Sequence, residues 1–228
     1  MCGRFALDQE LDDLIREFVV SENRFPAWQP NWNIPPTSTI PIVIERTQGT
    51  REIGPARWSL TPSWSQELVL PYPTFNARSE TAWSKPTFRD SVTKHRCVIP
   101  ARGYFEWVSD RGTKTPHFIS RTDNAIFGFA GLYSWWRNPE SGESVASATI
   151  LTKESTGLLR SVHDRMPVLV PPVHYSSWLD PQNLKGTDLI HEMASATDSL
   201  VPEFGHYPVN PLQGNGPQLL DHTGKETL

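Results

Sequence analysis

Residues 96–133, RCVIPARGYFEWVSDRGTKTPHFISRTDNAIFGFAGLY, contain four short runs of β-branched and aromatic residues separated by glycine, proline and acidic turn residues. That punctuation predicts strands at Arg96–Pro100, Gly103–Val108, Pro116–Arg121 and Ala125–Tyr133, with the turn Asp110-Arg111-Gly112 joining the second to the third. Upstream, the same reading predicts strands at Thr39–Glu45 and Glu52–Trp58. Downstream it predicts a long apolar strand at Val145–Thr152, buried by its composition, then Val168–Val170 and a last strand around His206–Val209. Leu7, Leu11, Leu14, Ile15, Phe18 and Val19 recur at helical spacing, with Asp8 placed to cap the helix. Further helices are expected after Glu80 to about Ser84, and over Thr87–His95, Pro172–Leu179 and Thr187–Ala194. Between the first helix and the first strand, Phe25–Pro36 holds four prolines and two tryptophans and is expected to be an extended loop. His163-Asp164-Arg165-Met166-Pro167 is expected in a loop. The chain from Gly214 on is polar and expected to be mobile.

The composition agrees with a sheet-dominated domain carrying some helices, and argues against a helix bundle: 228 residues include 21 prolines and nine tryptophans. No Gly/Ser linker or charge block divides the chain, so one domain is expected. The two cysteines, Cys2 and Cys97, form no CxxC motif and no regular Cys/His spacing, so neither a disulfide framework nor a metal site is expected. No apolar run approaches the roughly 18 residues of a membrane span. The N-terminus lacks a basic region followed by an apolar stretch. A soluble, cytoplasmic protein with no membrane association is expected. The net charge is −4, but between Asn76 and Arg121 nine Lys/Arg face four acids, a local excess of five positive charges. A basic patch on an acidic body is compatible with gripping a polyanion, and equally with a mixed solvated surface.

Met1-Cys2-Gly3-Arg4 carries the most specific chemistry. Removal of Met1, favoured when residue 2 is small, exposes a cysteine with adjacent α-amine and thiol. Such a 1,2-aminothiol converts an aldehyde first into an imine and then into a five-membered thiazolidine. Free groups of these kinds titrate at about 7.7–8.0 and 8.5, so both are expected to need little tuning near neutrality. Other polar residues sit where an unused polar group costs free energy. Asn76 follows Phe75 at a strand end, as a turn or cap residue or as a site residue. Glu106 lies between aromatics on the strand expected at Gly103–Val108: pointing inward it becomes an acid of raised pKa, pointing outward an ordinary carboxylate. His163, beside Asp164, is either a positioned acid/base or a satisfied loop histidine. Arg78 and Arg165 suit phosphate, or surface ion pairs.

The motifs Met1–Phe5, Asn33–Pro36, Trp58–Trp64, Asn76–Thr81, Arg96–Ala101, Gly103–Trp107 and His163–Pro167, in that order, resemble the SOS response-associated peptidase family, from Cys2 to about Pro211. The resemblance implies an α+β fold, a single sheet-dominated domain over residues 1–212 with mainly antiparallel strands forming a barrel-like core, flanking helices, and a polar tail over 213–228. It implies a monomer, without cofactor or metal, that traps abasic sites in single-stranded DNA as a covalent thiazolidine adduct and localises to the cytoplasm, at damaged DNA in the nucleoid. Cys2 is then the nucleophile after autoproteolytic or aminopeptidase removal of Met1, Asn76 and His163 orient the reacting groups, and Glu106 is the acid/base. Arg4, Arg78 and Arg165 match DNA-contacting positions, Pro36 and Trp64 match positions lining the DNA path, and Thr152 matches a secondary position near the site. Ser65 stands where some members carry a second tryptophan. Pro86 replaces a basic residue, with Lys85 adjacent as the substitute DNA contact, so base wedging and one phosphate contact are expected to differ. An N-terminal-nucleophile amidotransferase, which also begins Met-Cys-Gly, would need glutamine-binding motifs that are not found here. A reader of modified bases would bind DNA without bonding to it.

Overall fold

The computed structural model describes residues 2–46, 49–110 and 112–224. Met1, Arg111 in the Asp110–Gly112 turn, and residues 225–228 of the expected tail lie outside the described residues. In chain order the elements are β1 (Phe5–Leu7), α1 (Leu11–Glu17), β2 (Glu22–Asn23), β3 (Asn31–Ile34), β4 (Thr39–Glu45), β5 (Arg51–Trp58) and β6 (Asn76–Arg78). They continue as α2 (Arg89–Lys94), β7 (Arg96–Ala101), β8 (Gly103–Asp110), β9 (Thr113–Arg121), β10 (Phe127–Arg137) and β11 (Ser144–Glu154). The last are β12 (Arg165–Pro167), β13 (Leu169–Val170), α3 (Tyr175–Leu179), α4 (Gly186–Leu200) and β14 (Phe204–Pro208).

Five strands close on themselves. β4 pairs with β5 and β7, β7 with β10, and β10 with β11, all antiparallel. β11 returns to β5 through the parallel pairs Ser147–Arg57 and Ala148–Trp58, which seals the barrel. Strand alternation then gives the barrel one inward face, including Ile42, Ala56, Trp58, Ile99, Phe129 and Ala148, all buried. Gly131 is required there: a Cβ on it would lie 2.7 Å from Cys97 Sγ and 2.9 Å from Ile99 Cδ1. A second, antiparallel sheet runs in the order β14-β9-β8-β1-β3. The two sheets are joined by rings: Phe5 of β1 meets Trp58 at 5.0 Å and Phe129 at 5.9 Å between centroids, and Tyr104 meets Phe129 at 6.1 Å. Each such fully buried aromatic stabilises the fold by about 1.5–3 kcal/mol. The chain start is thereby held at the junction between barrel and sheet.

The four strands expected in residues 96–133 are present, as is the buried strand read at Val145–Thr152. Five local expectations are corrected. The first helix starts at Leu11, because Phe5–Leu7 pair with β3 and β8. Its N-cap position is Glu10, without a side-chain cap, while Asp8 turns to Arg102 at 3.7 Å. Part of the proline-rich Phe25–Pro36 stretch is strand β3, since an edge position tolerates nearby prolines. Residues 79–88 form turns, not a helix, and α2 begins only at Arg89. Arg165–Pro167 is a strand against β11. The chain beyond Gly214 is tied down to Gly224: Asn215 Oδ1 accepts from Trp32 N at 2.8 Å, Val209 bridges to His222, and Leu219 is buried. No described helix is long and apolar enough to cross a membrane.

Candidate active site

Cys2 enters the junction directly before β1 and is fully buried. Its carbonyl accepts a hydrogen bond from Asn76 Nδ2 at 2.7 Å. Asn76 is held by parallel pairing of β6 with Ile150 of β11, and its Oδ1 is buried with no hydrogen-bond partner among the described residues. The Cys2 thiol lies 3.9 Å from the Arg4 carbonyl, which also accepts from Phe105 N at 2.9 Å. That bond ties the chain start to β8, and alternation turns Glu106 inward, 4% exposed. Of the two readings left open for Glu106, the inward one holds.

Burial pushes the Glu106 carboxyl above its ordinary range, opposed in part by the charge of His163. The Cys2 thiol is pushed up by burial first and by the nearby Glu106 charge second. Tyr104, between them, is raised by burial and then by Cys2 and Glu106. Burial thus works against the thiolate in this site, where the free-group values alone suggested that little tuning is needed.

His163 follows a 3-10 turn over Gly157–Ser161, and its ring is partly exposed. Nδ1 accepts from Arg165 N at 2.9 Å and lies 2.7 Å from Asp164 Oδ1. Both groups compete for one ring nitrogen, so the tautomer depends on which of them wins. The end of β11 is the other anchor. Thr152 pairs across to Arg78 of β6 on one side and Pro167 of β12 on the other. Arg165 Nη2 donates to Thr152 O at 2.7 Å, while its guanidinium grips Glu80 in a fork of 2.7 and 2.9 Å.

The expected DNA contacts fall into two sets. Arg78 and Lys85 are exposed, Pro36 is half-buried after β3, and Trp64 is 52% exposed. Arg4 donates to Asn33 Oδ1 at 3.1 Å and keeps a buried Nε without a partner among the described residues. Thr152, in contrast, is fully buried, and Arg165 is already paired with Glu80. Thr152 is therefore sealed behind the arginine that it holds. Sequence reading missed Asn33 and Glu80 as the groups that hold Arg4 and Arg165, although both stand inside the motifs quoted above. Among the described residues no group of three or more His, Cys, Asp or Glu is placed to hold a metal ion.

A family model described as SOS response associated peptidase matches residues 1–215. The abasic site processing protein YoqW of Bacillus subtilis (strain 168) is 34% identical over 227 residues, covering 97% of this chain and 99% of its own. The abasic site processing protein HMCES of Xenopus tropicalis is 28% identical over 264 residues, covering 96% of this chain and 78% of its own. A solved protein from Bacteroides thetaiotaomicron superposes with a TM-score of 0.82 at 22% identity, over 97% of this chain and 99% of that one. That last likeness is one of fold.

Proposed function

The chain belongs to the SOS response associated peptidase family, and on that premise we propose that it processes abasic sites in single-stranded DNA, bonding covalently to the sugar through Cys2. The observation that carries this reading is the meeting of a buried Cys2, held by Asn76, with a buried Glu106 of raised pKa. An abasic sugar is mostly a closed hemiacetal. Glu106 protonates the ring oxygen as the C–O bond opens, while the anomeric hydroxyl gives its proton to His163 or water, releasing the aldehyde. Once Met1 has been removed, by the protein itself or by an aminopeptidase, the Cys2 amine adds to the carbonyl and loses water to give an imine. The thiol then adds across the C=N bond, sulfur to carbon and its proton to nitrogen, closing the thiazolidine.

This order explains why a thiol is present at all. An imine alone activates the neighbouring proton for β-elimination and strand cleavage, as in lyases; the neutral thiazolidine does not. Glu106, ionised after ring opening, and His163 supply the base for the thiol proton. Asn76 fixes the Cys2 carbonyl, which sets the direction of amine and sulfur together. Arg4, Arg78, Lys85 and Arg165 supply sequence-independent phosphate affinity, with Pro36 and Trp64 along the strand path. The protein acts as a monomer on damaged DNA in the cytoplasm and needs no cofactor.

The test is intact mass, before and after mixing with an abasic single-stranded oligonucleotide. Active protein must lack Met1 and gain the oligonucleotide mass less one water, in a product that survives denaturation. An active chain retaining Met1, or a complex that falls apart on denaturation, overturns the scheme.

A further inference from the structure

The chain after β14 runs as a strap from one edge of the five-stranded sheet to the other. It leaves the β14 edge at Val209, reaches β3 at the opposite edge, and returns so that His222 bridges to Val209. Leu212 and Leu220 pack with Ala6, Phe105, Phe118 and Val209, on the face of the sheet that alternation turns away from Glu106. Tyr207 Oη donates to Leu220 O at 3.0 Å and Thr223 N to Pro208 O at 3.1 Å, which closes the strap on the end of β14. Where it meets β3, Asn215 Oδ1 accepts from Trp32 N at 2.8 Å and Gly214 O accepts from Asn33 Nδ2 at 2.7 Å.

The Asn33 amide is thereby fixed end for end. A carbonyl only accepts, so Gly214 O takes the Nδ2 end and leaves Oδ1 facing Arg4, whose Nη1 donates to it at 3.1 Å. The reversed amide would set acceptor against acceptor at Gly214 and donor against donor at Arg4. Among the described residues this is the only hydrogen bond of the Arg4 guanidinium. Gly214 has φ +75°, and a Cβ there would meet nothing within 4 Å. Glycine is used at this point for its backbone conformation, not for space.

We propose that the strap is a positioning device for DNA binding: through Gly214 and Asn33 it directs the Arg4 guanidinium toward a phosphate of the single strand beside Cys2. It rests on the reading of Arg4 as a phosphate contact. Arg165 is held by a carboxylate, Glu80, that neutralises it. Arg4 is held by a neutral amide, which sets its direction and leaves its charge for the phosphate.

Affinity for an unmodified single-stranded oligonucleotide, measured over a series of salt concentrations, tests this. Asn33→Ala is expected to bind about threefold less tightly at low salt. Its slope of log affinity against log salt should fall by up to about 0.7, the share of one phosphate on a single strand. Gly214→Val strains the strap while its side chain enters open space, and should move both quantities the same way, with thermal melting to show that the fold is kept. With an abasic oligonucleotide, the DNA concentration giving half the maximal adduct rate should rise in both variants, while the rate at saturation stays within about twofold of wild type. In Arg4→Gln the salt slope should fall equally, and adding Asn33→Ala should change nothing further, whereas a residue that merely braces the sheet would add its own loss. A wild-type slope in Asn33→Ala and Gly214→Val, or losses that add to that of Arg4→Gln, overturn the strap's role and leave Arg4 as a phosphate contact. A wild-type slope in Arg4→Gln overturns that contact and the strap's role with it.

Discussion

Glu52 and Glu106 are buried alike, 3% and 4% exposed, yet their carboxyls move in opposite directions. Burial pushes both up. At Glu52 that push is overcome by Arg46, whose Nε and Nη2 donate at 2.6 and 2.9 Å, and by Arg24 Nε at 2.7 Å. Glu52 stays ionised at the wall of a cavity of about 300 Å³ that it shares with Tyr133 and Trp135. At Glu106 burial outweighs the opposing charges around it, and its acid form is favoured. Partner geometry, more than depth, separates a glutamate that holds a barrel together from one that can give up a proton.

The sharpest way to break this contrast lies beside Glu106. Cys2→Ser should abolish the denaturation-stable adduct while leaving a borohydride-reducible imine; a stable adduct from that variant would sink the thiazolidine step. Next in size, Glu106→Gln should slow adduct formation about 10²–10³-fold with DNA binding largely kept, measured as single-turnover rate against binding affinity. Its folded pKa is raised, so its contribution to stability is present below the unfolded value of about 4.3 and is lost as pH rises through the folded one. Glu106→Gln should therefore lose less stability than the wild-type chain as pH rises, by thermal melting at a series of pH values.

Glu52→Gln should do the reverse. Adduct formation should stay near wild type, while urea unfolding at neutral pH shows a loss of about 1–2 kcal/mol, discounted for the half-exposed arginines. Because the Glu52 pKa is depressed, its contribution is present above about 4.3 and fades as pH falls through the folded value, so the difference from wild type should vanish in acid. Equal effects of the two substitutions on rate and on stability would erase the distinction. The smallest effect is expected at Glu80. Glu80→Gln frees Arg165 from its fork, and affinity for single-stranded DNA at low salt should rise about twofold to fivefold. A fall would mean that Glu80 orients Arg165 for phosphate instead of competing with it.

Alternation and turn residues made the strands of residues 96–133 and the buried β11 legible, because both patterns are local. Leu7 misled for the same reason. Its spacing to Leu11 and Leu14 is helical, but pairing of Phe5–Leu7 with β3 and β8 removes it from the helix. Asn31–Ile34 was hidden by the prolines at 30, 35 and 36 that flank it, since its strand character comes from the neighbour that it pairs with. In the site, the motif order marked Cys2, Asn76, Glu106 and His163 before any coordinates. It did not reveal that Thr152 is sealed in, that Glu80 occupies Arg165, or that Gly214 fixes the amide facing Arg4.

The sequence by itself determined the chemical groups: a cysteine next to the initiator methionine, a carboxyl among aromatics, a histidine beside an acid, and a strand-rich chain to carry them. Only the tertiary structure decided their states. Whether Glu106 faced inward, how deeply the Cys2 thiol was buried, and which arginines were already paired depended on strands far apart in the chain closing into one barrel and one sheet. Residue type sets what a group is able to do; the desolvation and the charges that decide whether it does so come from neighbours that sequence order does not name.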